Sequence, residues 1–228
     1  VDQICSAAHR CSVPVFIDAE ETWIQDTIDR VAKEMMLRYN KESAIVYNTL
    51  QMYRHDRLAY FQIEIDSAKA DKHHLGVKIV RGAYMEKERN RAKEKGYPSP
   101  IQPTKEASDT DFNKALRLSA DHLDIVGLCA GSHNEDSAML LTEIMTEKQI
   151  PNNHPSIFFA QLLGMSDHIS FNLANAGYNV AKYVPYGPVK EVMPYLLRRA
   201  DENTSVAGQT SRELGLIMKE RKRRKRKS

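Results

Sequence analysis

The sequence predicts an α/β protein, a (β/α)8 TIM-like barrel whose first βα unit does not lie among these residues. Three observations carry this reading. Short apolar runs alternate with longer stretches of helical periodicity, seven runs in all, and a β-then-α rhythm builds a parallel sheet covered on both faces. No run is followed by a glycine-rich phosphate loop of the dinucleotide-binding or P-loop kind. The chain also opens at Val1 inside a helical pattern, so seven strands read as eight less one.

The elements follow in order. Residues 13–21 read as a buried strand ending in the acidic cluster Asp18-Ala-Glu-Glu21, and the helix after it repeats Trp23, Ile28, Val31, Met35 and Tyr39 at core spacing. Residues 43–50 form a second apolar run that ends at Gln51, followed by a helix over 53–72. The third strand, 76–80, ends at Arg81-Gly-Ala-Tyr84, and a charged helix over 86–95 breaks at Gly96-Tyr-Pro. After an irregular, proline-rich segment to Lys105, Asp109 or Asp111 is placed to cap the helix that carries Phe112, Ala115 and Leu116. The strand over 123–130 ends at Gly131-Ser-His-Asn134 and its helix covers 135–148. Further strands are expected at 156–162 and 178–184 and a short last one at 204–206, with helices from 189 and over 211–221. Residues 1–208 are read as the barrel and 209–228 as a terminal helix with a basic tail.

Bulk composition bounds the function. At 228 residues, 42% hydrophobic and 28% charged, the chain has the composition of a globular domain. The net charge of +3 is uneven, because residues 221–227 are an unbroken basic run. Such a run reads first as a solvated tail; anionic-lipid contact is the lesser reading, and no nucleic acid is expected as a partner. Cys5, Cys11 and Cys129 give neither an even disulfide framework nor metal-ligand spacing, which favours a reducing compartment and no metal centre. No apolar run approaches the roughly 20 residues that span a bilayer.

In a β/α barrel the chemistry collects at the C-terminal strand ends. There stand Asp18, Gln51, Lys78 to Tyr84, Ser132-His133-Asn134, Gln161-Leu162 and Tyr183. Lys78 on an inward position needs an anionic partner, since an unpaired ammonium there is costly. Gln51 offers a donor and an acceptor to a heterocycle edge. Arg198 and Arg199 sit about 100° apart on their helix. They read either as a solvated pair near a helix C-terminus or as two forks closing on one small carboxylate. The set contains no hydrolytic triad; it suits a planar anionic cofactor and a small carboxylate.

Taken in order, Val77-Lys-Ile-Val-Arg-Gly-Ala-Tyr-Met-Glu-Lys-Glu-Arg89, Gly96-Tyr-Pro, Gly131-Ser-His-Asn134, Gln161-Leu-Leu-Gly-Met165, Lys182-Tyr-Val-Pro-Tyr-Gly187 and Tyr195-Leu-Leu-Arg-Arg-Ala-Asp-Glu-Asn203 resemble the proline dehydrogenase family, most closely its monofunctional branch. Nothing resembles the aldehyde dehydrogenase module of the bifunctional enzymes. The resemblance implies a distorted barrel that holds FAD and oxidises L-proline to Δ1-pyrroline-5-carboxylate, with electrons passing to a membrane quinone. It places the protein on the mitochondrial inner membrane or in the matrix if eukaryotic, and in the cytoplasm or peripherally on the inner membrane if bacterial. It implies catalytic roles for Asp18, Lys78 and Tyr183. The proline carboxylate falls to Arg198 and Arg199, and the walls of the ring to Tyr183, Tyr84, Leu162 and Ile79. FAD contacts fall to Gln51, Lys78, Arg81, Gly82, Ala83, Lys105, Ser132, His133 and Glu202. Position 78 is Lys where part of the family has Arg; both carry the charge, but only Arg forks. A further βα unit with a lysine at its strand end is expected upstream of Val1. The alternative reading is a barrel fragment without turnover that binds a ligand or acts as a basic-tailed interaction module.

Overall fold

The computed structural model describes the backbone of residues 1–205 and 207–225 and the side chains of 1–197 and 214–225. Helix α1 (Asp2–Cys11) precedes β1 (Val15–Ile17), and α2 (Thr22–Tyr39) leads to β2 (Val46–Gln51). Then come α3 (Arg57–Asp71), β3 (Leu75–Val80), α4 (Met85–Lys95), α5 (Lys105–Asp121) and β4 (Val126–Gly131). The chain continues through α6 (Glu135–Glu147), β5 (Ile157–Leu162), α7 (Asp167–Asn175), β6 (Val180–Tyr183), α8 (Val189–Ser205) and α9 (Ala207–Lys225). The six strands pair in sequence order, β1-β2-β3-β4-β5-β6, and every pairing is parallel. That order, with a helical crossover between neighbours, is the winding of a β/α barrel left open between β1 and β6.

Alternation along each strand separates two faces. Val46, Leu50, Leu75, Val77, Ile79, Val126, Leu128, Ala130, Ile157 and Phe159 face the helices and form the main core with Met35, Met36, Phe61, Ile65, Phe112, Leu116, Leu141 and Ile144. Each of the larger side chains among them contributes on the order of 1.5–3 kcal/mol by leaving water. This layer also contains a buried polar cluster. Asp29 accepts from Gln25 Nε2 and Asn48 Nδ2, both at 2.8 Å, and pairs with Arg57 at 2.5 Å. Three elements, α2, β2 and α3, are thereby fixed in one register around a charge that is fully partnered.

The inner face begins with a tilted aromatic pair. Tyr47 is buried beside Phe16, ring centroids 5.0 Å apart. Its ring crosses β3 and β4 where both strands have glycine: a Cβ on Gly76 would sit 2.8 Å from the ring, and one on Gly127 would sit 2.6 Å from the hydroxyl. Burial pushes the Tyr47 phenol up to about 12.

Several expectations are corrected. Thr204 and Ser205 close α8 rather than forming a seventh strand, and Val206 lies outside the described residues; three β-prone residues are too short a signal to oppose a helix already under way. Helix α7 was not anticipated from the sequence. Trp23 is 40% exposed rather than core, because the first turn of α2 faces α4, where Arg91 lies 4.1 Å and Lys87 5.5 Å from the indole ring centroid. Neither Asp109 nor Asp111 caps α5; the helix starts at Lys105, and Thr104 Oγ1 accepts from Ala107 N at 3.2 Å. Helix α3 starts at Arg57 instead of 53, since Met52 and Tyr53 extend as a backbone ladder onto Val80 and Arg81 (2.8 and 2.6 Å).

Candidate active site

Asp18 is the first residue past β1, and Lys78 stands on the inner face of β3. The strand between them is β2, where Thr49 is the register partner of Lys78 and its hydroxyl donates to the Ile17 carbonyl at 2.8 Å. The Lys78 ammonium pairs with the Asp18 carboxylate and lies 5.5 Å from the centroid of the Phe16 ring. The partner that a half-buried ammonium requires is thus the acid at the next-but-one strand end. On the other side of Lys78, Cys129 is its β4 register partner. Burial pushes its thiol up to about 12, and Lys78 only partly opposes that, so it stays protonated and unreactive.

The acidic loop after β1 is held on several sides. Gln51 Nε2 donates to the Glu20 carbonyl, and Tyr84 Oη donates to Glu20 Oε2, both at 2.8 Å. Glu20 N donates to Gln25 Oε1 at 2.9 Å. The fully buried Glu88 of α4 accepts from Thr22 N and Thr22 Oγ1, both at 2.7 Å, and Lys87 pairs with Glu21. A carboxylate from α4 therefore satisfies the first turn of α2, where backbone donors lack intrahelical partners and negative charge is favoured.

The β3–α4 loop turns at Gly82, whose φ is +134°. A Cβ there would come within 2.6 Å of three ring carbons of Tyr53, so the position tolerates glycine alone. Just before it, the Arg81 guanidinium lies 4.3 Å from the Phe112 ring centroid. Arg81 pairs with Asp109 and donates to Ser132 Oγ at 2.7 Å and Ser137 Oγ at 2.8 Å. Lys105 Nζ donates to the other Asp109 oxygen at 2.7 Å. Burial alone would raise the Asp109 carboxyl, but Lys105 and Arg81 together hold it below its ordinary range. In the loops after β4 and β5, His133 Nδ1 is 3.0 Å from Ser166 Oγ, and at the end of β5 Gln161 accepts from Ser170 Oγ at 2.8 Å. Asn134 caps α6 by accepting from Ser137 N at 2.9 Å.

At the far end of the sheet, Leu162 and Tyr183 are register partners on the inner face. The Tyr183 ring packs 5.5 Å from that of Tyr195 in α8. The structure therefore brings together Asp18 with Lys78, Gln51 with Tyr84 through Glu20, and Arg81 with Ser132 and Lys105 through Asp109. Ile79 is a correction: alternation turns it to the helix-facing side, fully buried in the core, so it cannot wall a ligand over the inner face. Arg198, Arg199 and Glu202 fall in α8, and their side chains lie outside the described residues. Sequence reasoning overlooked Glu20, Asp109 as a bridging anion, Ser137 and Ser166. Only Glu20 carried a signal, its place in the acidic cluster. Among the described residues there is no cluster of His, Cys, Asp and Glu able to hold a metal, and no helix long and apolar enough to cross a membrane.

A family model described as proline dehydrogenase matches residues 1–212. The chain belongs to the proline dehydrogenase family. It is 42% identical over 234 residues to proline dehydrogenase 1, mitochondrial, of Drosophila melanogaster, which covers 98% of this chain and 34% of that protein. The human protein of the same name is 40% identical, with 98% of this chain and 38% of that one covered. Hydroxyproline dehydrogenase of Xenopus laevis is 39% identical, again over 98% of this chain and 49% of the relative. The chain thus spans about a third to a half of the length of these relatives. Among solved structures, proline utilization A from Bdellovibrio bacteriovorus inactivated by N-propargylglycine superposes with a TM-score of 0.83 at 23% identity, over 90% of this chain and 21% of that one. That likeness establishes the family's barrel architecture for the six parallel strands.

Proposed function

We propose that this chain supplies most of the active site of an enzyme that oxidises L-proline to Δ1-pyrroline-5-carboxylate, with FAD as the acceptor and a membrane quinone receiving the electrons. The observation that carries the reading is the Asp18–Lys78 pair, set across the ends of β1 and β3 on the inner face, in a chain of this family. The donor set fits the cofactor. Arg81 and Lys105 supply cations suited to a diphosphate, and Gln51, Lys78 and Ser132 supply donors suited to a flavin edge and a ribityl chain. Gly82, Ala83, His133 and Glu202 complete the contacts that the family resemblance assigns. When bound, FAD supplies a two-electron acceptor for the hydrogen leaving C5 of proline.

This chain's residues then have distinct tasks. Arg198 and Arg199 grip the proline carboxylate as two forks and fix the ring's orientation. Tyr84, Leu162 and Tyr183 enclose the ring and exclude water. The amine reacts in its neutral form, because positive charge grows on nitrogen as C5 is oxidised. Asp18 stabilises that developing iminium, and Lys78 balances the acid before substrate arrives and provides fixed positive charge near the reacting centre. Residues 1–208 form the catalytic barrel in this reading, with 209–228 an appended helix and basic tail. The mitochondrial names of the relatives support a place at the inner membrane or matrix if the host is eukaryotic, and the bacterial counterpart is cytoplasmic or peripheral on the inner membrane.

Adding L-proline anaerobically to the purified, FAD-loaded protein tests the reading. The visible flavin absorbance bleaches and Δ1-pyrroline-5-carboxylate accumulates in equal amount. A spectrum that does not change at saturating proline overturns it.

A further inference from the structure

We infer that Glu20 is a positioning residue for this site, the joint that sets the distance between the loop bearing Asp18 and the loop bearing Tyr84. It touches neither the reacting ring nor the cofactor in this reading; it acts through residues that do. Three bonds converge on it from three elements. Its carboxylate accepts from Tyr84 Oη at 2.8 Å, its carbonyl accepts from Gln51 Nε2 at 2.8 Å, and its amide donates to Gln25 Oε1 at 2.9 Å. Gln25 in turn donates to Asp29, which pairs with Arg57, so the joint is anchored in the buried cluster between α2, β2 and α3. Two residues further along, Thr22 is bonded through both its amide and hydroxyl to the buried Glu88. The loop is therefore pinned on both sides of Glu20. The bond to Tyr84 is its only tie by side chain to the β3–α4 loop among the described contacts of Glu20, and a phenol donating to a carboxylate is a charge-assisted bond, stronger than a neutral one. The Lys87–Glu21 and Thr22–Glu88 pairs tie the same loop to α4 further along; the Glu20 bond adds the tie that sets Tyr84 itself against that loop.

The inference rests on the proline-oxidation reading, and its test separates the two. Glu20→Ala, Tyr84→Phe and the double variant are compared in the FAD-loaded protein. Glu20→Ala raises the proline KM about tenfold and lowers kcat no more than about threefold, the size expected for one bond to a charged group. The double variant is no worse than the weaker single variant, because both remove the same bond. Thermal unfolding without proline reports the same non-additivity independently of turnover. A proline KM within twofold of wild type for Glu20→Ala, or single effects that multiply in the double variant, overturns the inference. If Glu20→Ala does not fold, Glu20→Met, of similar reach but without an acceptor, takes its place. If wild-type flavin is not bleached by proline, the functional reading fails; the unfolding cycle still decides whether the Glu20–Tyr84 joint exists, and additive melting shifts reject it.

Discussion

Replacing Gly82 by alanine is the sharpest single-atom-group test of how the β3–α4 loop is built. Two costs arise from separate causes. The added Cβ would stand within 2.6 Å of three Tyr53 ring carbons, against ordinary carbon contacts of about 3.5–4.0 Å. Relieving this means moving a buried ring by about 1 Å, an overpacking cost of about 1–3 kcal/mol. The φ of +134° adds about 1–3 kcal/mol for a residue with a side chain. Together they come to about 4 kcal/mol, which for a chain of this size lowers Tm by about 8–16 °C. The Tyr53 main chain cannot back away, because its amide donates to the Arg81 carbonyl at 2.6 Å and its carbonyl accepts from Gln102 N at 2.7 Å, so any relief has to come from the buried ring. Calorimetry or circular dichroism on Gly82→Ala, Tyr53→Leu and the double variant separates the causes. The double variant is less damaged than the sum of the singles by about the overpacking share, and the strain share persists. A Gly82→Ala protein melting within 2 °C of wild type, or strictly additive losses, would refute the argument.

Tyr183→Ser, at the exposed end of β6, opens room beside the ring and narrows the preference for proline over hydroxyproline, read as the ratio of the two kcat/KM values; an unchanged ratio removes Tyr183 from the wall. Arg199→Met raises the proline KM by about 100-fold or more, as loss of a charged fork costs roughly 3 kcal/mol, while FAD stays bound, and saturation at wild-type proline concentrations contradicts the clamp. For Asp109, the folded-state carboxyl lies below its ordinary value of 3.8, so its ion pairs stabilise the fold above that value and are lost as pH falls through the depressed one. Asp109→Asn therefore flattens the stability loss below about pH 4, and an unaltered acid limb in urea melts at stepped pH would show that the pairs contribute nothing.

The fold was legible wherever a strand is a long apolar run and its helix repeats every three or four residues, as at 46–51, 75–80 and 157–162. It was not legible where signals are short. Helix α7 is nine residues long and sits between two glycine-marked loops, and the 204–206 run owes its β-prone look to composition alone. Site residues could be placed on strand ends because a parallel barrel gathers them there, which brought out Lys78 and its need for an anion. The face of a residue was the harder question. The family resemblance assigns Ile79 to the ring wall, yet it follows Lys78 on β3 and adjacent strand residues point opposite ways. Partners that fix a site from a distant element, such as Glu88 beneath Thr22 or Asp109 between Arg81 and Lys105, leave no local pattern, since their meaning comes only from what the fold sets beside them.

Tyr47 with Gly76 and Gly127 has an implication for anyone redesigning this pocket. One side chain fills space left by glycines on two neighbouring strands, so the three positions are sterically coupled. A side chain at Gly127 would collide with the tyrosine hydroxyl, and one at Gly76 would clash with the Val46 carbonyl as well as the ring, so shrinking the tyrosine alone does not make room at Gly76, and a transplanted version of the pocket has to carry all three together.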